Sequence, residues 1–259
     1  KFILPFFVCE NLKNKDMVDF SQNNIYAVSD SKFLLKYLKE AMNTYIVSTS
    51  YGQYIEAISN YMEVPFENTF YTDVDVDVLE LNDDEIKKIG DFKELILNNP
   101  EDYELFDDIF YGEIPKMGIY EKIKEIDVVG GESKKLAIDE IIARDNIDAN
   151  NMLYIGDSIT DVEPLAFARD NNGISISFNG NEYPLRVAEI AIVSPSAVTT
   201  AVIANIYAGN DKNKVLQFIE DYNDVKDYEN LFGKYDVDLE IKNRFFEVFE
   251  DKKYPIIQI

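Results

Sequence analysis

Histidine is absent from the 259 residues, and cysteine occurs once, at Cys9. Without imidazole the chain can build no Ser-His-Asp triad, no histidine-liganded metal centre and no imidazole general base. With one thiol it can close no internal disulfide and no multi-cysteine zinc site. Positive charge is scarce too: 25 lysines and arginines stand against 49 acids, a formal net charge of −24. That excess repels a polyphosphate backbone over most of the surface and argues against nucleic acid as a partner. No apolar run reaches the roughly eighteen residues needed to span a bilayer, and the first residues lack the basic, apolar and small-residue layout of a signal peptide. The expected location is therefore cytoplasmic. Acid–base or metal chemistry must fall to carboxylates, lysines, hydroxyls and backbone amides.

What is present is globular. A hydrophobic fraction of 46% beside 29% charged residues suits a folded chain, and the length suggests one large domain or one domain carrying an insertion. The most informative stretch is Met152-Leu153-Tyr154-Ile155-Gly156-Asp157-Ser158-Ile159-Thr160-Asp161. Its apolar run predicts a buried strand, Gly156 a sharp exit, and the two acids four residues apart a loop leading into a helix. Ligands sit at the carboxyl ends of strands in open α/β sheets. Asp157 and Asp161 could face one point there and hold a hard cation, with Mg²⁺ the natural candidate. The same letters also serve a plain helix start, with Asp157 as the cap and Asp161 complementing the dipole.

Strand and helix patterns recur along the chain. An apolar segment from Phe2 to Val8 needs burial, and it makes an abrupt beginning. Asn24 to Val28 suits a short strand or lead-in, and Lys32 to Met42 a helix. Thr44 to Val47 predicts a strand ending in Ser48-Thr49-Ser50, and Tyr51 to Met62 a helix with one apolar stripe. Phe70 to Thr72 suits another strand. Asp73, Asp75 and Asp77 alternate with valines on what would be a solvated face; the glycine and terminal Glu of an EF-hand loop are missing. Residues 82 to 127 suggest acidic helices, at Asn82 to Ile89, Phe92 to Leu97 and Tyr103 to Phe110. The first opens on a capping box, Asn82 with Glu85.

Gly130-Gly131-Glu132-Ser133-Lys134-Lys135 places two glycines shortly before lysines at a helix start, which suits an anion site and equally an ordinary loop and cap. The spacing is not that of a Walker loop. Strands at Gly173 to Phe178 and Ile190 to Val193 then alternate with helices, as in a parallel sheet, up to about Gly209. Residues 210 to 259 turn charged and helical, with Phe218, Ile219, Tyr222, Leu231, Phe232, Phe245, Phe246 and Phe249 as packing positions.

Three segments carry, in order, Ser48, then Lys134 or Lys135, then Asp157 and Asp161. This order resembles motifs II, III and IV of the haloacid dehalogenase (HAD) superfamily of phosphohydrolases, with Gly156-Asp157-Ser158-Ile159-Thr160-Asp161 similar to its GDSxxD form. More narrowly, Ser48-Thr49-Ser50-Tyr51, Pro65-Phe66-Glu67-Asn68-Thr69 and Ser177-Phe178-Asn179-Gly180-Asn181-Glu182-Tyr183 resemble an archaeal HAD-like group labelled energy-converting hydrogenase A subunit R. The resemblance implies an α/β fold with a HAD-like, doubly wound, Rossmann-like parallel sheet. Residues 21 to 71 and 128 to 209 would form the core and 72 to 127 an inserted, mainly helical cap. Residues 210 to 259 would be a helical C-terminal extension, and 1 to 20 the remnant of an N-terminal segment.

The implied function is Mg²⁺-dependent hydrolysis of a small phosphorylated metabolite through an aspartyl-phosphate. Ser48 would hydrogen-bond a phosphoryl oxygen, with the Thr49 amide or hydroxyl assisting. Lys134, favoured over Lys135 by the residues that follow, would stabilise developing negative charge. Asp157 would hold the metal, and Asp161 would complete the shell or orient Asp157. One departure limits this: the family's DxD nucleophile strand precedes motif II, and no such strand precedes Ser48. The expectation is that the nucleophile lies outside this chain. The alternative is a non-catalytic HAD-like interaction subunit of a larger, hydrogenase-type complex.

Overall fold

The computed structural model describes residues 1–225, 227–249 and 255–259. The first half of the chain forms helices α1 (Leu4–Cys9), α2 (Asn14–Asn23) and α3 (Ser31–Ala41), strand β1 (Ile46–Tyr51), helix α4 (Gly52–Met62) and strand β2 (Thr69–Thr72). A helical stretch follows, with α5 (Asp83–Asn98), α6 (Tyr103–Asp107), α7 (Tyr120–Ile123) and α8 (Glu132–Asp145). Strands and helices then alternate: β3 (Leu153–Gly156), α9 (Val162–Asp170), β4 (Ile174–Phe178), α10 (Glu182–Leu185), β5 (Ile190–Val193) and α11 (Val198–Gly209). Last come α12 (Lys212–Asp224), α13 (Tyr228–Lys234), α14 (Leu239–Val248) and β6 (Ile256–Gln258).

The chain divides into two compact units, each discontinuous in sequence. One comprises Lys1–Ile25, Thr49–Ile58 and Tyr71–Val129; the other Tyr26–Ser48, Ser59–Phe70 and Gly130–Ile259. In the first, Leu4 is fully buried among Val76, Ile89, Phe92, Ile109, Ile114 and Ile123, so the apolar opening segment is a packed helix. The expected capping box starts α5: Glu85 N–H donates to Asn82 Oδ1 (3.0 Å), and Asn82 N–H to Glu85 Oε2 (3.1 Å). Two helices were expected between Asn82 and Leu97, but one runs through, because Ile89 and Phe92 continue a single buried stripe across Gly90.

The second unit holds the sheet that positions the candidate site. Strands β3, β4 and β5 are parallel neighbours in that order, and β6 pairs antiparallel to β5. Ile174 and Ile176 on β4 are fully buried, as expected of an interior strand in a parallel sheet. Strands β1 and β2 form a separate two-stranded sheet instead of joining the others, and no strand forms at Asn24 to Val28. The residues expected as a C-terminal extension belong to the same core. Phe218, Ile219, Phe232 and Ile241 bury against Val198, Val202 and Ile203 of α11, and Ile257 of β6 is buried with them. The short Ile256–Gln258 strand carries too little period-2 signal to be read beforehand.

Candidate functional site at the end of the third strand

Strand β3 ends at Gly156, and the chain turns at once through Asp157 and Ser158 into a 3₁₀ turn, Ile159–Asp161, that feeds α9. The turn folds Asp161 back beneath the strand end. Only glycine fits at 156: a Cβ there would lie 2.4 Å from Cβ of Asp161 and 2.6 Å from its Cγ. Ser158 and Asp161 have the spacing of a capping box and make one, with Ser158 N–H and Oγ donating to Asp161 Oδ2 at 3.2 and 3.1 Å.

Lys134 reaches the same carboxylate from α8. Gly131 precedes that helix at φ +53, a backbone suited to glycine, and its N–H donates to Thr160 O (3.0 Å), tying the two loops together. From the first turn of α8, Lys134 Nζ donates to Asp161 Oδ1 at 2.8 Å, and both side chains are buried. Tyr154 OH donates to the same oxygen at 2.8 Å, while Asp157 N–H donates to Oδ2 at 3.2 Å. Burial alone would raise the Asp161 pKa. The Lys134 hydrogen bond and charge, with Tyr154 and the Asp157 amide, outweigh it and hold the carboxyl below its ordinary value. Burial, and then the Asp161 charge, push the Tyr154 phenol far above its ordinary value.

Asp161 thus accepts from Lys134 and Tyr154 on one oxygen and from Asp157 and Ser158 on the other. A carboxylate offers about four lone-pair sites, and these partners fill them. Of the two roles expected of Asp161, completing a metal shell or orienting Asp157, these bonds match the second: it holds the Asp157 amide and neutralises Lys134. Asp157 differs. It is exposed, and its carboxylate has no hydrogen-bond or ion-pair partner among the described residues. No group of three or more acids, histidines or cysteines placed to hold a metal occurs among the described residues. Among the described residues of this loop, Asp157 alone keeps an open carboxylate.

Of the residues expected at one site, Lys134, Asp157 and Asp161 come together in the second unit. Lys135 turns aside to Asp139 at 2.5 Å, so Lys134 is the lysine that meets the acids. Ser48 and Thr49 were expected at a strand end, but β1 continues to Tyr51, because the β-prone Thr49-Ser50-Tyr51 stays extended beside β2. Thr49 belongs to the first unit, where its carbonyl accepts from Thr72 Oγ1 (2.9 Å). There it lines a cavity of about 330 Å³ with Ser21, Ser50, Tyr51, Tyr54 and Thr72. Sequence reasoning missed Tyr154, whose alternation marks it only as a strand residue. It also gave Ser158 no role, although the S-x-x-D spacing signals its bond to Asp161.

The fold is shared with an archaeal protein. The solved structure of gene product AF1437 from Archaeoglobus fulgidus superposes with a TM-score of 0.74 and 24% identity, covering 85% of this chain and 68% of that one. At that identity the likeness shows the α/β fold alone. No family model and no curated protein matches the chain.

Proposed function

We propose that the end of β3 binds Mg²⁺ through Asp157 and a phosphoryl group beside Lys134, as the site of a HAD-type phosphohydrolase for a small phosphorylated metabolite. One observation carries this reading: a buried lysine is locked onto Asp161, whose other oxygen accepts from the backbone of Asp157, an exposed residue with an unpartnered carboxylate at a parallel strand's carboxyl end. Lys134 spends one of its three N–H groups on Asp161, which leaves donors for a phosphoryl oxygen. Asp161 fixes the ammonium and the Asp157 amide in place. Ser48 would donate a hydrogen bond to the phosphoryl group. When bound, Mg²⁺ would offset phosphoryl charge.

The attacking carboxylate that an aspartyl-phosphate route needs is not among these residues, which account for binding and charge stabilisation only. Calorimetry should detect weak Mg²⁺ binding by the chain, and Asp157→Asn should abolish it. Binding unchanged by that substitution would overturn the reading. The chain alone should not hydrolyse p-nitrophenyl phosphate; Mg²⁺-dependent turnover would place a nucleophile within these 259 residues. Failure to bind either Mg²⁺ or inorganic phosphate would favour the non-catalytic interaction subunit.

A further inference from the structure

The cavity of about 330 Å³ in the first unit falls at the low end of the size range of small-molecule pockets. Every residue that lines it belongs to that unit. Met17 and Ser21 stand four apart on α2 and share one face of it, while Tyr51 and Tyr54 stand three apart where β1 passes into α4. Thr72, at the end of β2, is fully buried and held from two sides. Its Oγ1 donates to Thr49 O (2.9 Å) and accepts from Val129 N–H (3.1 Å), so this part of the lining is fixed before any ligand arrives.

The chain has 49 acids, yet no carboxylate lines this cavity, which argues against a cationic ligand. The one ammonium in the lining is a weak anchor for an anion. Lys1 Nζ already donates to Lys124 O (3.0 Å) and Ile126 O (3.1 Å), which leaves one N–H of three, and the net charge of −24 works against anions. What remains is hydroxyl. Ser21 Oγ donates to Met17 O (2.7 Å) and keeps its lone pairs, so it can accept. The phenols of Tyr51 and Tyr54 have no hydrogen-bond partner among the described residues. Burial raises the Tyr51 phenol above its ordinary value, which keeps it protonated and able to donate. Tyrosine hydroxyls withdrawn from water ordinarily find a partner.

We propose that this cavity binds a small uncharged polyol of monosaccharide size, which exchanges hydrogen bonds with Tyr51, Tyr54 and Ser21 and sets its C–H surface against Met17 and Val128. Each hydroxyl of such a ligand both donates and accepts, which matches a lining of phenol donors and serine and threonine acceptors. An apolar ligand of the same size would leave those groups unpaired at a cost. No residue of the β3 loop enters this assignment, so it stands apart from the phosphohydrolase reading.

The test is NMR titration of the full chain with glucose, galactose, ribose and myo-inositol, and separately with acetate, inorganic phosphate and phenol. At least one of the polyols should saturate the signals of Tyr51, Tyr54 and Thr72, and the other three probes should not. Tyr54→Phe and Ser21→Ala should each weaken polyol binding about two- to tenfold with far-UV circular dichroism unchanged. If Ser21→Ala does not fold, Tyr51→Phe and Tyr54→Phe decide the matter, since both keep the ring. No saturation by any of the polyols would overturn the proposal, and so would binding that all these variants leave intact. Saturation of the same signals by acetate, phosphate or phenol alone would overturn the ligand class. Asp157→Asn should bind the polyol as the wild type does; loss of binding there would take the ligand out of this cavity and leave the phosphohydrolase reading to its own Mg²⁺ test.

Discussion

Asp157 and Asp161 stand four apart on the loop after β3, while Asp73, Asp75 and Asp77 stand two apart after β2. Both stretches are acidic strand exits with spacing suited to a cation. In the first, Asp161 is buried and Lys134 answers it from another helix. In the second, all three acids are exposed, and Asp75 and Asp77 pair with neutral donors. Asp75 Oδ1 accepts from Asn14 Nδ2 (2.7 Å) and Asp77 N–H (3.0 Å), and Asp77 Oδ1 accepts from Asn14 N–H (3.1 Å). The valines between them explain the pattern, since Val74 and Val76 go into the core and turn the acids outward. Spacing alone does not separate a site from a solvated face. A buried counter-charge, and a free carboxylate beside it, does.

Lys134→Met should break that contrast most severely. It leaves Asp161 buried without its cation, which costs about 3–5 kcal/mol for a pair of this kind. Asp75→Ala removes an exposed capping oxygen that also accepts from Asn14 Nδ2, and should cost about 1 kcal/mol. Urea unfolding of both variants checks the difference, and equal losses would put the two stretches in one class. Lys134→Met combined with Asp161→Asn should recover much of the loss, because the unpaired charge is then gone.

A smaller effect appears with pH. The folded Asp161 pKa lies below its unfolded value of about 3.8, so its contribution is present above that value and lost as pH falls through the folded one. The stability gap between the wild type and Asp161→Asn should therefore hold steady near neutrality and narrow below pH 4. Urea midpoints measured from pH 7 down to pH 3 would show it. A gap that does not change with pH would mean that Asp161 is not ionised against Lys134.

The local letters carried much of this in advance. An apolar run, a glycine and a capping-box spacing marked β3 and its loop, and Asn82 with Glu85 marked the start of α5. What the letters could not carry was pairing. Nothing within Thr44 to Tyr51 says whether β1 hydrogen-bonds to β2 or joins the larger sheet, since both need the same β-prone residues. The late helices carry charged surfaces, which in the sequence suit an appended extension, while Phe218 and Phe232, the residues that bury, occupy one face of each. Asp161 was legible as an acid near a lysine, but not as a carboxylate with every lone pair filled. That fact depends on Tyr154, seven residues away along the chain, donating to the same oxygen.

Asp157→Asn should give the smallest stability change and the clearest functional one. The carboxylate is exposed and pairs with nothing among the described residues, so folding gains little from its charge, and the change should stay within about 0.5 kcal/mol. The amide that donates to Asp161 is backbone and survives the substitution. A cation that binds only the folded chain adds stability as its concentration rises above Kd. Mg²⁺ should therefore raise the melting temperature of the wild type and leave Asp157→Asn where it was. The same titration on Asp75→Asn should match the wild type, since that acid serves a turn. A Mg²⁺ response lost in Asp75→Asn and kept in Asp157→Asn would exchange the roles of the two loops.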